Sequence, residues 1–73
     1  MADHRVESEV TGNVWKVVVS VGDLVSAGDT LIILESMKME IPLESPVGGR
    51  VAQLLVNPQD VVEEGQVLVV IGA

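Results

Sequence analysis

The residues best placed to do chemistry are Glu35-Ser36-Met37-Lys38-Met39-Glu40, one lysine between two methionines at the middle of a 73-residue chain. A lysine ε-amine that has lost its proton attacks activated acyl groups, and its flexible four-carbon stem carries the amine clear of the backbone. No partner for catalysis accompanies it. His4 is alone near the N-terminus, and the chain holds no Ser/His/Asp or Cys/His set. The acidic residues lack the spacing of a metal-binding loop. No catalytic residue and no metal ligand is therefore assigned. Deprotonating and positioning the Lys38 amine falls to a partner enzyme, which makes the chain a substrate of modification and not a catalyst. Met37 and Met39 are soft side chains that usually fill gaps in cores. Beside an exposed lysine they offer a modifying enzyme an adaptable contact surface. On spacing alone, an ordinary solvated lysine in an unmodified adaptor β-domain accounts for the same residues equally well.

An amine held out for others to use needs a rigid support, and the remaining residues describe one. The chain holds 16 valines, whose β-branched side chains suit pleated, half-buried surfaces. Turn signals recur at Gly12-Asn13, Val21-Gly22-Asp23, Ala27-Gly28-Asp29, Gly48-Gly49, Asn57-Pro58 and Glu64-Gly65. Short strands with closely spaced turns indicate an all-β sandwich or barrel. Sliding the chain along itself by 37 positions lays Gly12 on Gly49, Val14 on Val51, Val19 on Val56, Asp23 on Asp60, Val25 on Val62, Gly28 on Gly65 and Leu31 on Leu68. The glycine and aspartate matches carry most weight, because they fix turns. Each half reads as strand, turn, short extended piece, glycine turn, strand: 14–19 to 30–35, then 51–56 to 67–71, with further strands at 6–10 and 39–43. Packed together, the halves form a flattened β-barrel or sandwich of two quasi-symmetric antiparallel sheets. Lys38 falls at the junction of the halves. A helix through Leu34, Met37 and Ile41 competes there, but Pro42 would break it and the run is too short to stand alone. A tight turn at Met37-Lys38 between strands 30–35 and 39–43 is the preferred reading.

Composition narrows the function classes. The length suits one domain, residues 1–73, with residues 1–5 expected to fray. The net charge is −7, and the four cationic residues (Arg5, Lys16, Lys38, Arg50) form no stripe, which argues against nucleic acid. Trp15 is the only aromatic residue, so no stacking platform exists. No apolar run approaches the roughly 18 residues of a membrane span, and Met1-Ala2-Asp3-His4-Arg5, charged and with no apolar run after it, is not expected to act as a secretory signal. The absence of cysteine fits a cytoplasmic protein. Asp23, Asp29 and Asp60 are read as turn formers. Gln59, at the place of Gly22 in the repeat, is read with Asn57-Pro58 as a local change of turn type. Trp15 either marks a partner surface or, the preferred reading, covers the end of a small barrel, and if it packs on the core its truncation to alanine would cost about 3–5 kcal/mol.

The stretch Glu35-Ser36-Met37-Lys38-Met39-Glu40-Ile41-Pro42 resembles the attachment motif of the biotinyl/lipoyl family. The likeness runs from about Val10 to Ile71 and takes in Gly12-Asn13-Val14-Trp15-Lys16-Val17, Val21-Gly22-Asp23, Ala27-Gly28-Asp29 and Gly65. The whole is most similar to the short stand-alone biotin/lipoyl attachment proteins of bacteria. The resemblance implies a barrel-sandwich hybrid fold. It implies biotin joined covalently to Lys38 by a biotin protein ligase, with Met37 and Met39 as flanking recognition residues. The biotin would then carry carboxylate between a biotin carboxylase and a carboxyltransferase. The family's acetyl-CoA carboxylase carriers have an inserted thumb-like loop that this sequence lacks, which points to another acyl-CoA, pyruvate or urea-type carboxylase. Lipoate is the alternative cargo. Lipoyl members usually lack the paired methionines, so Met37 and Met39 favour biotin.

Overall fold

Valine and isoleucine are stiff at χ1 and pack well on a pleated surface. In the computed structural model, which describes residues 3–72, they do so in eight strands. These are β1 (Asp3–Glu7), β2 (Gly12–Val17), β3 (Leu24–Val25), β4 (Thr30–Ser36), β5 (Met39–Glu44), β6 (Gly49–Leu54), β7 (Val61–Val62) and β8 (Val67–Gly72). One four-stranded sheet has the order β1-β8-β6-β3 and the other β5-β4-β2-β7, and every pairing is antiparallel. The 37-residue repeat carries β1 onto β5, β2 onto β6, β3 onto β7 and β4 onto β8, so each sheet is the image of the other. Each sheet also mixes strands from both halves, and neither half can close a core without its partner. The Cα atoms span 36 × 18 × 18 Å. No helix long and apolar enough to cross a membrane occurs among the described residues.

The core repeats as the strands do. Val14, Leu31, Ile32 and Leu34 from the first half meet Val51, Leu68, Val69 and Ile71 from the second, all fully buried. Truncating one of them, such as Leu34→Ala, would cost roughly 2–5 kcal/mol. The repeat also starts earlier than Gly12 and Gly49. Ser8 and Ser45, each 2% exposed, donate from Oγ to Val10 O at 2.7 Å and Val47 O at 2.6 Å. The matching strings Glu7-Ser8-x-Val10 and Glu44-Ser45-x-Val47 were there to be read. Their serines take up backbone carbonyls where the chain leaves β1 and β5.

Four turns are closed by one device. Asp23, Asp29 and Asp60 each accept, through Oδ2, the backbone N–H three residues upstream, from Ser20, Ser26 and Asn57, at 2.8 Å. Gln66 Oε1 does the same for Glu63 N–H at 3.0 Å. The turn-forming role expected of the three aspartates holds.

Three expectations need correction. Residues 3–5 are placed in a strand: they pair with β8, Asp3 opposite Gly72, His4 opposite Ile71 and Arg5 opposite Val70. β8 is a fully apolar strand whose outer edge needs hydrogen-bond partners, and the charged side chains of β1 stay exposed while its backbone supplies them. Residues 1 and 2 lie outside the described residues. The turn at Gln59 is not of a different type. Gln59 has φ 76° where Gly22 has φ 97°, and Asp60 N–H bonds Asn57 O at 3.1 Å as Asp23 N–H bonds Ser20 O at 3.0 Å. The aspartate cap holds the geometry with a glutamine in the left-handed region. Finally, Trp15 lies outside the core. It is the extra residue of a β-bulge in the β2–β4 pairing, between Val14 and Lys16, and remains 48% exposed. A bulge leaves one residue unpaired and re-aims its side chain.

Candidate functional site

The Met37-Lys38 turn follows from the register of the strands it joins. β4 and β5 pair from Thr30 opposite Glu44 to Ser36 opposite Met39, so only two residues remain to reverse the chain. Met37 and Lys38 both take left-handed backbone angles, φ 52° and 65°. That is the type I′ geometry, the two-residue turn whose twist matches a hairpin, and it normally falls to Asn-Gly. Two non-glycine residues there carry a conformational penalty of about 1–2 kcal/mol each. They are held in it because β4 is a central strand paired on both sides.

The base of the hairpin is fixed to β2. Ser36 Oγ donates to Thr11 O at 2.9 Å. Gly12 lets the strands come this close: a Cβ there would run into the Glu35 carbonyl and lie 3.2 Å from Ser36 Cβ. Above this base none of the described residues covers the tip. Met37 is 92% exposed, Met39 is 64% exposed and Lys38 is exposed between them. Glu35 and Glu40 face each other across the strands just below. Like charges so placed repel, and the Lys38 ammonium is the nearest cation in sequence. The structure thus brings Met37, Lys38 and Met39 together on one rigid apex. Neither methionine folds inward as core, and the hairpin preferred over a helix is present.

This arrangement can present a primary amine and little else. Among the described residues no group of three or more His, Cys, Asp or Glu converges as a metal site. An exposed amine on a stem at a strained, well-anchored turn fits a tethered prosthetic group, since a group bound there would leave the core and both sheets undisturbed. Sequence reasoning missed Gly12, Ser36 and Thr11 as the parts that seat the hairpin. In the sequence Gly12 is a repeat match and turn signal, and its role as the point of closest strand approach depends on register, which no local pattern reveals.

Comparison with known proteins agrees with this geometry. Residues 5–71 match the biotin/lipoyl family model described as "Biotin-requiring enzyme". A biotinylated protein TB7.3 homolog of Mycobacterium leprae is 55% identical over 38 residues, 52% of this chain and 54% of that protein. A biotin/lipoyl attachment protein of Bacillus subtilis is 53% identical over 38 residues, 52% of each chain. The match thus spans about half the length of these relatives. The crystal structure of the Kluyveromyces lactis urea carboxylase superposes with a TM-score of 0.93 at 40% identity, covering 99% of this chain and 6% of that one. By fold, repeat and family match, the chain belongs to the biotin/lipoyl attachment family.

Proposed function

We propose that the chain is a single, non-catalytic biotin carboxyl carrier domain, with Lys38 as its attachment residue. The observation that carries this reading is the exposed Lys38 amine on a two-residue turn, flanked by Met37 and Met39, in a family member whose relatives include a protein named as biotinylated. A biotin protein ligase would remove the amine's proton and let Nζ attack the activated carboxyl of biotin, forming the C–N bond as the bond to the activating group breaks and that group leaves with its electron pair. The resulting amide leaves Lys38 uncharged. When attached, biotin supplies a ring nitrogen that accepts and releases carboxylate. The protein's part is reach and local concentration: the lysine stem swings from a rigid tip, while the hairpin keeps the tether's root in one place. Met37 and Met39 give visiting enzymes an apolar grip beside the root. A biotin carboxylase and a carboxyltransferase are the partners this chemistry requires.

Intact-mass analysis after co-expression with the cognate ligase tests the proposal. One biotinyl adduct is expected on the wild type and none on Lys38→Ala, with the variant still folded by circular dichroism. A lipoyl adduct as the sole modification, or an unmodified wild type under conditions that label a known acceptor, would overturn it.

A further inference from the structure

The two sheets are copies in backbone and unlike in surface. The sheet that carries the lysine hairpin exposes Trp15 on β2, Val61 on β7 and Met39 on β5, and Asn13 of β2 pairs directly with Val61. In the other sheet the bulge that corresponds to Trp15 holds Ala52, between Val51 and Gln53, and Leu24 is the one large exposed apolar residue on its strands. Charge divides the same way. The strands of the second sheet balance, with Arg5 on β1 and Arg50 on β6 against Asp3 and Glu7 on β1. The lysine-bearing sheet places Glu35, Glu40 and Glu44 on its strands against Lys16, and acylation neutralises Lys38. A small domain with a thin margin of stability thus keeps its only aromatic side chain outside its core, through a bulge, on the face below its attachment site. Tryptophan held out in this way is the residue type that most often anchors protein interfaces.

We propose that this Trp15 face seats the carrier on the catalytic component that carboxylates biotin, whose matching surface is an apolar cleft with a cationic rim. This rests on the carrier reading above. The cationic rim follows from chemistry as well as from complementarity to Glu35, Glu40 and Glu44. Bicarbonate and ATP are anions, and an entrance that gathers them carries positive potential. The same potential draws in an acidic carrier face and lets Trp15 enter the cleft while the arm reaches inward.

The test uses the biotinylated full chain with the biotin carboxylase of the source organism, ATP and bicarbonate, and follows rate against carrier concentration. Trp15→Ala should raise the KM for the carrier about tenfold or more, the loss of one interface anchor, with kcat nearly unchanged. Leu24→Ala on the opposite sheet should stay within about twofold, the behaviour of a residue outside the interface. Glu44→Lys should raise KM, and added salt should raise the wild-type KM. Trp15 is the sole tryptophan of the carrier, so its emission, read as the difference from enzyme alone, should move to shorter wavelength as the enzyme is added. Equal KM values for Trp15→Ala and Leu24→Ala, or an emission spectrum that does not move at saturation, would overturn the proposal. Ligase labelling separates the two readings. If wild type and Trp15→Ala are both biotinylated yet share one KM, the docking face is wrong and the carrier reading stands. If the wild type takes no biotin, both fall.

Discussion

The β4–β5 hairpin and the β8–β1 pair occupy equivalent places in the repeat, and comparing them separates scaffold from function. Glu35 faces Glu40 in the first, and Gly72 faces Asp3 in the second. Beneath each sits a glycine that brings a neighbouring strand into contact: Gly12 under Glu35, Gly49 under Gly72. The seats are therefore the same. Only the first pair is closed by Ser36-Met37-Lys38-Met39, with its two left-handed residues and its anchor to Thr11. The repeat supplies the same frame twice, and the two-residue turn that exposes Lys38 occurs in one of them.

The largest expected effect tests the shared seat. A Cβ at Gly12 meets the Glu35 carbonyl, and one at Gly49 meets the Gly72 carbonyl and lies 2.9 Å from Ile71 Cγ2. Backbone gives way less than a side chain tip, so Gly12→Ala and Gly49→Ala should each cost about 3 kcal/mol, the upper end of overpacking. In a domain of this size that is a fall in Tm of more than 10 °C, on the basis of about 4–8 °C per kcal/mol. Ligase labelling should split the pair. Below its melting range Gly12→Ala should label slowly, because its strain lies under Lys38, and Gly49→Ala should label like wild type. Equal labelling would mean that the hairpin tolerates a displaced base.

A smaller effect is expected at the second difference between the halves, Trp15 against Ala52. A fully buried tryptophan would lose about 3–5 kcal/mol on truncation. Trp15 is 48% exposed and outside the core cluster, so Trp15→Ala should lose less than about 2 kcal/mol by chemical denaturation. A loss above 3 kcal/mol would return the residue to a packing role and weaken the case for a docking face.

Much of this was legible in the chain. The 37-residue repeat, the turn aspartates and the lysine at the junction are local or periodic signals, and all follow from spacing. What was not legible depends on register. Trp15 lies in the stretch Val14-Trp15-Lys16-Val17-Val18-Val19, apolar at five of its six positions, so no alternation assigns it a face, and the bulge at Val14-Lys16 is what leaves it outside the core. Residues 3–5 look like a polar terminus, and only the bare edge of β8 makes them a strand. The Gly12–Glu35 approach joins residues far apart in sequence, so the glycine shows itself as a turn signal and hides its packing role.

The turn itself should release strain when relaxed. Met37→Gly places a residue indifferent to positive φ at a position now held at 52°. Part of the roughly 1–2 kcal/mol penalty returns, less the roughly 0.5–1 kcal/mol of extra entropy glycine loses on folding, so a net gain of about 0.5–1 kcal/mol is expected. The check is thermal denaturation of the unmodified protein. No rise in Tm would mean that the strands, and not the turn residues, set the conformation at negligible penalty.

The smallest effect comes from the one place where the two halves solve the same turn with different residues. Gly22 and Gln59 hold matching left-handed conformations, φ 97° and 76°, under identical aspartate caps. A glycine at 59 removes a side chain from a backbone region that disfavours it and adds freedom to the unfolded chain, and the two terms nearly cancel. Gln59→Gly should therefore stabilise by only about 0.5 kcal/mol, and Gly22→Gln should destabilise by a similar amount. Opposite signs in the two denaturation curves would confirm that the caps fix the turn and the residue adapts to it. Destabilisation in both variants would show that the Gln59 side chain makes a contribution of its own and that the two turns are alike only in backbone.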